Sequence, residues 1–224
     1  MRYVARRASA VWSPSSHTVD DVARRFGVRP ELVPYCFDSA RFRPESWQRT
    51  AAVRILTVSR LVPNKNQEAV LRVAARMTPR PVVELIGRGE KEDSLRHLAR
   101  ELGVSLELAA LRQSDEAVRE AYRRATVIVA PSRFEGFGLT AIEAVASGVP
   151  AVASDIPPHR EHLGEAATYF TLDDDASLEA AIETAIARGP ADPALVGRLA
   201  IEPATARFLE GIGRWLPDHA RRST

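Results

Sequence analysis

Two cationic side chains follow the first strongly apolar stretch of the chain. Arg60 and Lys65 lie in Ser59–Asn66, between residues that predict a buried strand and residues that predict a helix. Cations beside a helix N-terminus are a common way to hold an anion such as a phosphate. The alternative is a pair of solvated surface charges, which is also common. Lys65 is one of only two lysines in the chain, the other being Lys91.

A second segment, Pro131–Glu143, places two glycines immediately before a predicted helix. Gly136 and Gly138 have no side chain, so the backbone there can approach a ligand closely. The helix that opens at Leu139 and Thr140 offers unpaired N–H groups to an anion. The segment therefore predicts a second group of anion contacts at the end of another strand.

Two carboxylates belong to the same segment, Glu135 and Glu143. Glu143 lies one turn into the predicted helix, and its two acceptor oxygens suit paired hydroxyls such as a ribose diol. The spacing of eight residues carries no weight by itself, because Glu84 and Glu92 share it. The alternative interpretation is a glycine-rich turn with a capping glutamate.

The elements that must position these residues follow a regular alternation. Six apolar stretches predict strands: Val53–Ser59, Pro81–Ile86, Ser105–Ala109, Thr126–Ala130, Val149–Ser154 and Ala166–Phe170. The predicted helices are Asn66–Met77, Glu92–Leu102, Asp115–Ala125, Leu139–Ala146, Asp175–Arg188 and Thr205–Trp215. Strands that are apolar throughout and alternate with helices predict an α/β fold, a doubly wound parallel sheet covered on both faces. In such sheets ligands bind at the carboxyl ends of the strands, where both segments lie.

Composition and the remaining motifs exclude several classes of protein. A net charge of +2 over 224 residues is too small to argue for nucleic acid, whose partners usually show a clustered basic face, so no nucleic-acid partner is expected. The turn Gly87-Arg88-Gly89 lacks the third glycine of a dinucleotide fingerprint, which counts against a nicotinamide enzyme. His159 and His162 have no further ligands nearby in sequence, so we predict packing or surface histidines and no metal.

The single cysteine, Cys36, permits no disulfide within the chain and suits a reducing compartment. No apolar run approaches the length of a membrane span. The first 19 residues contain Arg and Ser but no acidic residue, which loosely resembles a transit peptide, although the same stretch also fits a structural role. These observations favour a cytoplasmic location, with contact at the membrane face left open.

The combined motifs resemble those of the GT4 family of retaining glycosyltransferases. Ser59–Lys65 resembles that family's G-R-L-x-x-x-K segment, and Ala130–Ala144 resembles its E-x7-E segment almost residue for residue. Ala146–Ala153 is similar to the next strand, Ser154–Glu161 to the sugar-side loop, and Pro34–Pro44 to the interdomain linker. The resemblance extends over about Ala10 to Arg188, and it implies a Rossmann-like, GT-B type of fold.

The resemblance implies a role for each residue singled out above. Arg60 and Lys65 would hold the diphosphate of a nucleotide-sugar donor, together with the backbone N–H groups of Gly138, Leu139 and Thr140. Glu143 would bind the ribose. Glu135 would lie beside the donor sugar and act catalytically as the glycosidic bond breaks. The donor would be a UDP- or GDP-sugar, and neither a cofactor nor a metal would be required.

Three positions depart from the family pattern. Ser59 stands where glycine is usual, and Arg88 stands where aspartate is usual between two glycines. The glycine usual near the base-binding turn is missing from Leu108–Leu111. These departures bear on the identity of the base more than on the fold.

The resemblance also predicts how the chain divides. Residues 1–47 would be a remnant of an N-terminal domain with its linker, residues 48–200 the donor-binding domain, and residues 201–224 a crossing helix and tail. The acceptor site would belong to an N-terminal domain or a separate subunit. The last helix would then expose an apolar face, formed by Phe208, Leu209, Ile212 and Trp215.

Two functions are compatible with this sequence. The chain could supply the donor site of a hexosyltransferase that acts with retention of configuration. Alternatively, it could be a sugar-nucleotide-binding module without transferase activity of its own. An unrelated α/β dehydrogenase is disfavoured by the missing fingerprint.

Overall fold

A computed structural model describes residues 7–8, 10–44, 47, 52–109 and 115–213 of the chain. Its central feature is a six-stranded, fully parallel sheet with the strand order β5-β4-β3-β6-β7-β8. These strands are β3 (Arg54–Val58), β4 (Val82–Ile86), β5 (Ser105–Ala109), β6 (Val127–Ala130), β7 (Ala151–Ser154) and β8 (Ala167–Phe170). A separate pair, β1 (Trp12–Ser13) and β2 (Glu31–Leu32), is also parallel.

Helices connect the strands and cover both faces of the sheet. They are α1 (Ser16–Phe26), α2 (Gln67–Arg76), α3 (Glu92–Leu102), α4 (Asp115–Arg124), α5 (Leu139–Ala146), α6 (Pro157–Leu163), α7 (Asp175–Arg188) and α8 (Ile201–Gly213). Three 3₁₀ segments, Pro63–Lys65, Gly164–Ala166 and Pro193–Leu199, complete the described elements. The predicted α/β, doubly wound parallel sheet is confirmed.

Two hydrophobic clusters explain why the strands are apolar on both faces. Ile55 and Val127 belong to the cluster that packs against α2, α3 and α7. The next residues along each strand, Leu56 and Ile128, belong to the opposite cluster, with α4, α5 and the Pro193–Leu199 segment. All four side chains are buried because successive residues of a strand point to opposite faces and each face is covered.

The last described helix begins earlier than the sequence predicted. The predicted start was Thr205, whereas α8 begins at Ile201 and includes Pro203 in its first turn. Proline is tolerated there because the first-turn N–H groups have no intrahelical partner. The predicted end at Trp215, and the side chains of Ile212 and Trp215, lie outside the described residues, while Phe208 and Leu209 are exposed as predicted.

The N-terminal segment packs onto the C-terminal elements. Phe37 forms a parallel bridge with Ala200, and its N–H donates to the Leu199 carbonyl at 3.1 Å. The ring of Trp12 packs edge-on against Phe208, with ring centroids 5.5 Å apart. The division at residues 47 and 200 stays a prediction. Within the described part of the chain, every helix is too short or too polar to cross a membrane.

The glycines of Gly87-Arg88-Gly89 are required by protein packing. A Cβ on Gly87 would lie 1.9 Å from the Ser59 carbonyl oxygen, and one on Gly89 would lie 2.1 Å from the Leu61 carbonyl oxygen. The Leu61 N–H also donates to the Arg88 carbonyl at 2.8 Å. The turn after β4 therefore presses directly on the loop after β3, and it fixes the backbone around Arg60.

Gly87→Ala is expected to destabilise the fold, because the new methyl group must displace backbone rather than a flexible side chain. Overpacking of this kind costs about 1–3 kcal/mol, and a backbone clash belongs at the upper end of that range. Urea unfolding of Gly87→Ala and of Gly197→Ala measures the difference, since a Cβ at Gly197 meets nothing within 4 Å. Equal stabilities for the two variants would contradict the packing role.

Candidate functional site

The two sequence segments meet where the strand order changes direction. From β3 the chain moves outward through β4 and β5, then returns to place β6 on the other side of β3. The loops after β3 and β6 are therefore neighbours at the carboxyl edge of the sheet, which is the usual ligand crevice of such folds. The Arg133 N–H donates to the Asn64 carbonyl at 2.8 Å and joins the two loops directly.

The loop after β3 is held in place from inside by Gln67. This fully buried side chain donates from Nε2 to the Ser59 hydroxyl and to the Arg60 carbonyl, both at 2.8 Å. Asn66, with φ of 54°, makes the sharp turn between the Pro63–Lys65 segment and α2. Arg60 and Lys65 consequently project from a loop whose backbone is fixed. Gln67 was not predicted from the sequence, where its position as the first residue of the helix after the cationic segment was the signal that could have indicated it.

Lys65 and Glu135 form a close ion pair between the two loops. The Lys65 ammonium contacts Oε1 of Glu135, and the two side chains are only 14% and 16% exposed. The Ser132 hydroxyl donates to the same oxygen at 2.7 Å. Among the described residues, Oε2 of Glu135 has no hydrogen-bond partner, so this oxygen is available to a ligand hydroxyl.

Arg60 is the most exposed of the predicted site residues. Its guanidinium forms no ion pair with any carboxylate in the described part of the chain. A fixed backbone and an unpaired guanidinium leave this charge available to a ligand at the crevice.

The start of α5 presents backbone donors next to this ion pair. Gly138 precedes the helix with φ of 89°, a left-handed conformation that favours glycine. The N–H groups of Ala141 and Ile142 bond back to its carbonyl. The N–H groups of Leu139 and Thr140 belong to the first turn, and no acceptor in the described residues pairs with them. The positive end of the helix dipole therefore faces the crevice.

Gly138 is also required because of its neighbour His159. A Cβ on Gly138 would lie 2.8 Å from Cδ2 and 3.1 Å from Nε2 of that ring. His159 is fully buried, and its Nδ1 donates to the Ser154 carbonyl at 2.9 Å. Burial lowers the pKa of His159, so the ring is neutral near pH 7. Helix α6, which carries this ring, was not predicted from sequence.

Glu143 lies one turn into α5 in a largely desolvated position. The Tyr122 hydroxyl donates to its Oε2 at 3.2 Å and also contacts the Thr140 carbonyl at 3.1 Å. Burial raises the pKa of Glu143 to about 7, while the Tyr122 hydrogen bond and the charge of Arg41 act in the opposite direction. The carboxylate is thus poised to change its protonation state near neutral pH.

The loop after β7 is internally paired. Arg160 forms a bidentate ion pair with Asp155, at 2.6 and 2.7 Å, and its guanidinium lies 3.8 Å from the centre of the Tyr169 ring. The Arg160 guanidinium lowers the pKa of Asp155. Glu161 accepts hydrogen bonds from the backbone N–H and the hydroxyl of Ser16. The loop is therefore tied to the N-terminal segment.

Two sequence predictions concern other parts of this edge. The turn that the resemblance assigns to the base is Leu108–Leu111, of which Ala110 and Leu111 lie outside the described residues. His159 and His162 are both buried packing residues, and the His162 ring lies 4.1 Å from that of Phe137. No group of three or more His, Cys, Asp or Glu side chains in the described ranges could hold a metal ion. That no metal is needed stays a prediction.

The structure therefore brings most of the predicted residues together. Lys65 and Glu135 are in contact, the free N–H groups of Leu139 and Thr140 follow within one short loop, and Glu143 lies on the same helix. Arg60 precedes them on the neighbouring loop. Cations, helix-terminal N–H groups and carboxylates at a switch point define a site of the type that binds phosphorylated ligands.

Comparison with known proteins places this arrangement in a family. Residues 39–194 match the family model described as glycosyl transferases group 1. The MMP alpha-(1->4)-mannosyltransferase of Mycolicibacterium hassiacum is 34% identical over 158 residues, which cover 67% of this chain and 38% of that protein. The O-antigen chain mannosyltransferase RfbU of Salmonella typhimurium is 26% identical over 185 residues, covering 82% of this chain and 52% of the relative.

Solved structures show the same fold. Anabaena Alr3699/HepE, crystallised in complex with UDP-glucose, superposes with a TM-score of 0.80 at 18% identity, covering 94% of this chain and 65% of that one. Sucrose-phosphate synthase from Thermosynechococcus elongatus superposes with a TM-score of 0.75 at 23% identity, and the match covers 99% of this chain and 60% of that one. The chain belongs to the glycosyl transferases group 1 family and has the Rossmann-like fold of GT-B glycosyltransferases. It spans between about a third and a half of the length of the curated relatives it matches.

The raised pKa of Glu143 predicts a pH-dependent stability. The pKa of Glu143 in the folded protein, about 7, exceeds the ordinary value of 4.5, so the folded state holds this proton more tightly than the unfolded state. The stability that Glu143 contributes through this proton is fully present below pH 4.5 and is lost as the pH rises through 7. The wild type should lose up to about 1.4 kcal/mol per pH unit in this window relative to Glu143→Gln. Urea unfolding of both proteins at pH 5 and pH 8 measures the difference, and parallel pH profiles would contradict the assignment.

The Tyr122→Phe variant tests how the Tyr122 hydrogen bond affects the pKa of Glu143. Because the Tyr122 hydrogen bond stabilises the ionised form, its removal should raise the pKa of Glu143 further. Carbon-13 NMR of the glutamate carboxyl groups measures this midpoint. An unchanged midpoint would show that burial alone sets the pKa.

Proposed function

We propose that this chain supplies the donor-binding site of a retaining glycosyltransferase of the GT4 family, which transfers a hexosyl group from a nucleotide-diphosphate sugar. The observation that carries the proposal is the meeting of Lys65, Glu135 and the N-terminus of α5 at the switch point of the sheet. One crevice thereby holds a cation, backbone N–H donors and a carboxylate within two adjoining loops. These groups match the diphosphate and the sugar of such a donor.

Arg60, Lys65 and the N–H groups near Gly138, Leu139 and Thr140 bind the diphosphate in this proposal. The leaving group of the reaction is a nucleoside diphosphate, so negative charge grows on it as the glycosidic bond breaks. Fixed cations and helix N–H groups stabilise that charge without reorganising. This arrangement supplies the electrostatic stabilisation that a metal ion gives in other transferases.

Glu135 is the proposed catalytic residue beside the donor sugar. Its Oε1 is occupied by Lys65 and Ser132, which leaves Oε2 to accept a hydroxyl of the sugar. A carboxylate held in this way orients the sugar and stabilises positive charge as it develops at the anomeric carbon. Retention of configuration rests on the resemblance of the two motifs to GT4 enzymes.

Glu143 is the proposed ribose ligand. Its two oxygens suit the paired hydroxyls of a ribose, and Tyr122 holds the carboxyl in place from the protein side. Because the ribose hydroxyls donate to the carboxylate, donor binding favours the ionised form of this group.

The relatives support this class of donor. Two are named as mannosyltransferases, and the HepE structure contains UDP-glucose. We therefore propose a UDP- or GDP-sugar as the donor and a second domain or a separate subunit as the site of the acceptor. The single cysteine and the nucleotide-sugar substrate suit a cytoplasmic location.

Lys65→Ala should weaken binding of the nucleoside diphosphate by more than tenfold, because a charge-assisted contact contributes about 1.5–3 kcal/mol. Calorimetric titration with UDP and GDP measures the loss. Arg76→Ala is the matched control, since this cation lies at the opposite end of α2 and pairs with Glu179 at 3.3 Å. Equal affinities for wild type and Lys65→Ala would remove Lys65 from the phosphate site.

Donor affinity should also depend on the protonation of Glu143. With a pKa of about 7, the carboxylate is mostly ionised at pH 8 and mostly protonated at pH 6. Affinity for a nucleotide sugar should then fall about tenfold between these two pH values. Glu143→Gln should bind more weakly at pH 8 and lose this dependence, and a wild-type affinity that is flat with pH would contradict the ribose role.

A further inference from the structure

A chain of buried hydrogen bonds lies behind the predicted site. Ser132, in the loop after β6, is 2% exposed and donates from its hydroxyl to Oε1 of Glu135 at 2.7 Å. Its carbonyl accepts the hydroxyl of fully buried Ser154, at the end of β7, at 2.5 Å. The Nδ1 of His159 donates to the Ser154 carbonyl at 2.9 Å and lies 3.2 Å from its hydroxyl.

The two ends of this chain touch different parts of the site. At one end, Ser132 contacts the Glu135 carboxylate, which also receives Lys65. At the other end, the His159 ring packs against Gly138, where an added Cβ would lie only 2.8 Å away. Ser132 therefore contacts the carboxylate, whereas His159, at the other end of the chain of hydrogen bonds, contacts the glycine before α5.

We propose that Ser132 is a positioning residue for donor-sugar recognition, held in turn by Ser154 and His159. The proposal rests on the donor-site function proposed above and adds residues that the motifs did not assign to it. Ser132 and Lys65 both contact Oε1 of Glu135, so the carboxylate is fixed with Oε2 facing a ligand. Without the Ser132 hydroxyl, Lys65 is the remaining contact to Oε1 among the described residues, so rotation of the carboxylate is less restrained and the direction of Oε2 is less well fixed.

The proposed role of Ser132 concerns the sugar of the donor and not its diphosphate. The diphosphate would contact Lys65 and the N–H groups of α5, which Ser132 does not touch. The sugar would contact Glu135, which Ser132 does touch. Removing the hydroxyl should therefore weaken binding of a nucleotide sugar and leave binding of the corresponding nucleoside diphosphate nearly unchanged.

Calorimetric titration of the full chain with UDP, GDP, UDP-glucose and GDP-mannose tests this separation. For the nucleotide that binds, Ser132→Ala should lower the affinity for the sugar nucleotide about tenfold relative to the diphosphate, the size expected for a hydrogen bond to a charged group. Ser132→Thr keeps the hydroxyl and should restore much of the difference. Ser94→Ala is the matched control, because its hydroxyl donates in an exposed position to the carbonyl of Lys91, just before α3, at 2.9 Å.

A second variant keeps the test independent of how Ser132→Ala folds. Ser154→Ala removes the hydrogen bond to the Ser132 carbonyl and leaves the Ser132 hydroxyl in place, so it should shift the same affinity ratio by a smaller factor. Equal losses for diphosphate and sugar nucleotide, or no loss in either variant, would overturn the positioning role while the donor site stands. Absence of binding by the wild type would instead overturn the proposed function, and the inference with it.

Discussion

The contact between Lys65 and Glu135 is the interaction on which the rest of the site depends. It joins the loops after β3 and β6, which are neighbours only because the strand order reverses between those strands. Both side chains are largely buried, so each charge needs the other to offset its desolvation. In the function proposed above, the pair places the cation that binds phosphate next to the carboxylate that binds the sugar. A bound donor would therefore contact both Lys65 and Glu135.

Close backbone packing is the second constraint, and it explains why glycines surround the site. Gly87 is required by the Ser59 carbonyl, whereas Gly138 is required by its left-handed φ and by the His159 ring. The glycines thus allow loops of the protein to approach one another, which in turn fixes the N–H groups of the first turn of α5. Preorganisation of this kind is what electrostatic stabilisation of a leaving group requires.

The sequence was sufficient to predict the sheet, because buried parallel strands are apolar throughout and their stops are marked by Pro and Gly. It was not sufficient for α6 and the start of α8, where Pro157 and Pro203 resemble helix breakers but occupy the first turn, in which proline is tolerated. The motifs indicated Lys65 and Glu135 separately. Their direct contact, and the support from Ser132, depend on side chains brought together by tertiary packing, which no local pattern reports.

In the proposed function, a nucleoside diphosphate binds between the loops after β3 and β6. Titration of nitrogen-15-labelled protein with UDP and GDP, followed by amide NMR, tests this most directly because it reports where the ligand lies. One of the two nucleotides is expected to shift the amide resonances of Lys65, Gly138, Leu139 and Thr140 together, while the resonance of Arg76 at the far end of α2 stays unchanged. Shifts confined to other surfaces, or no shifts with either nucleotide, would contradict it.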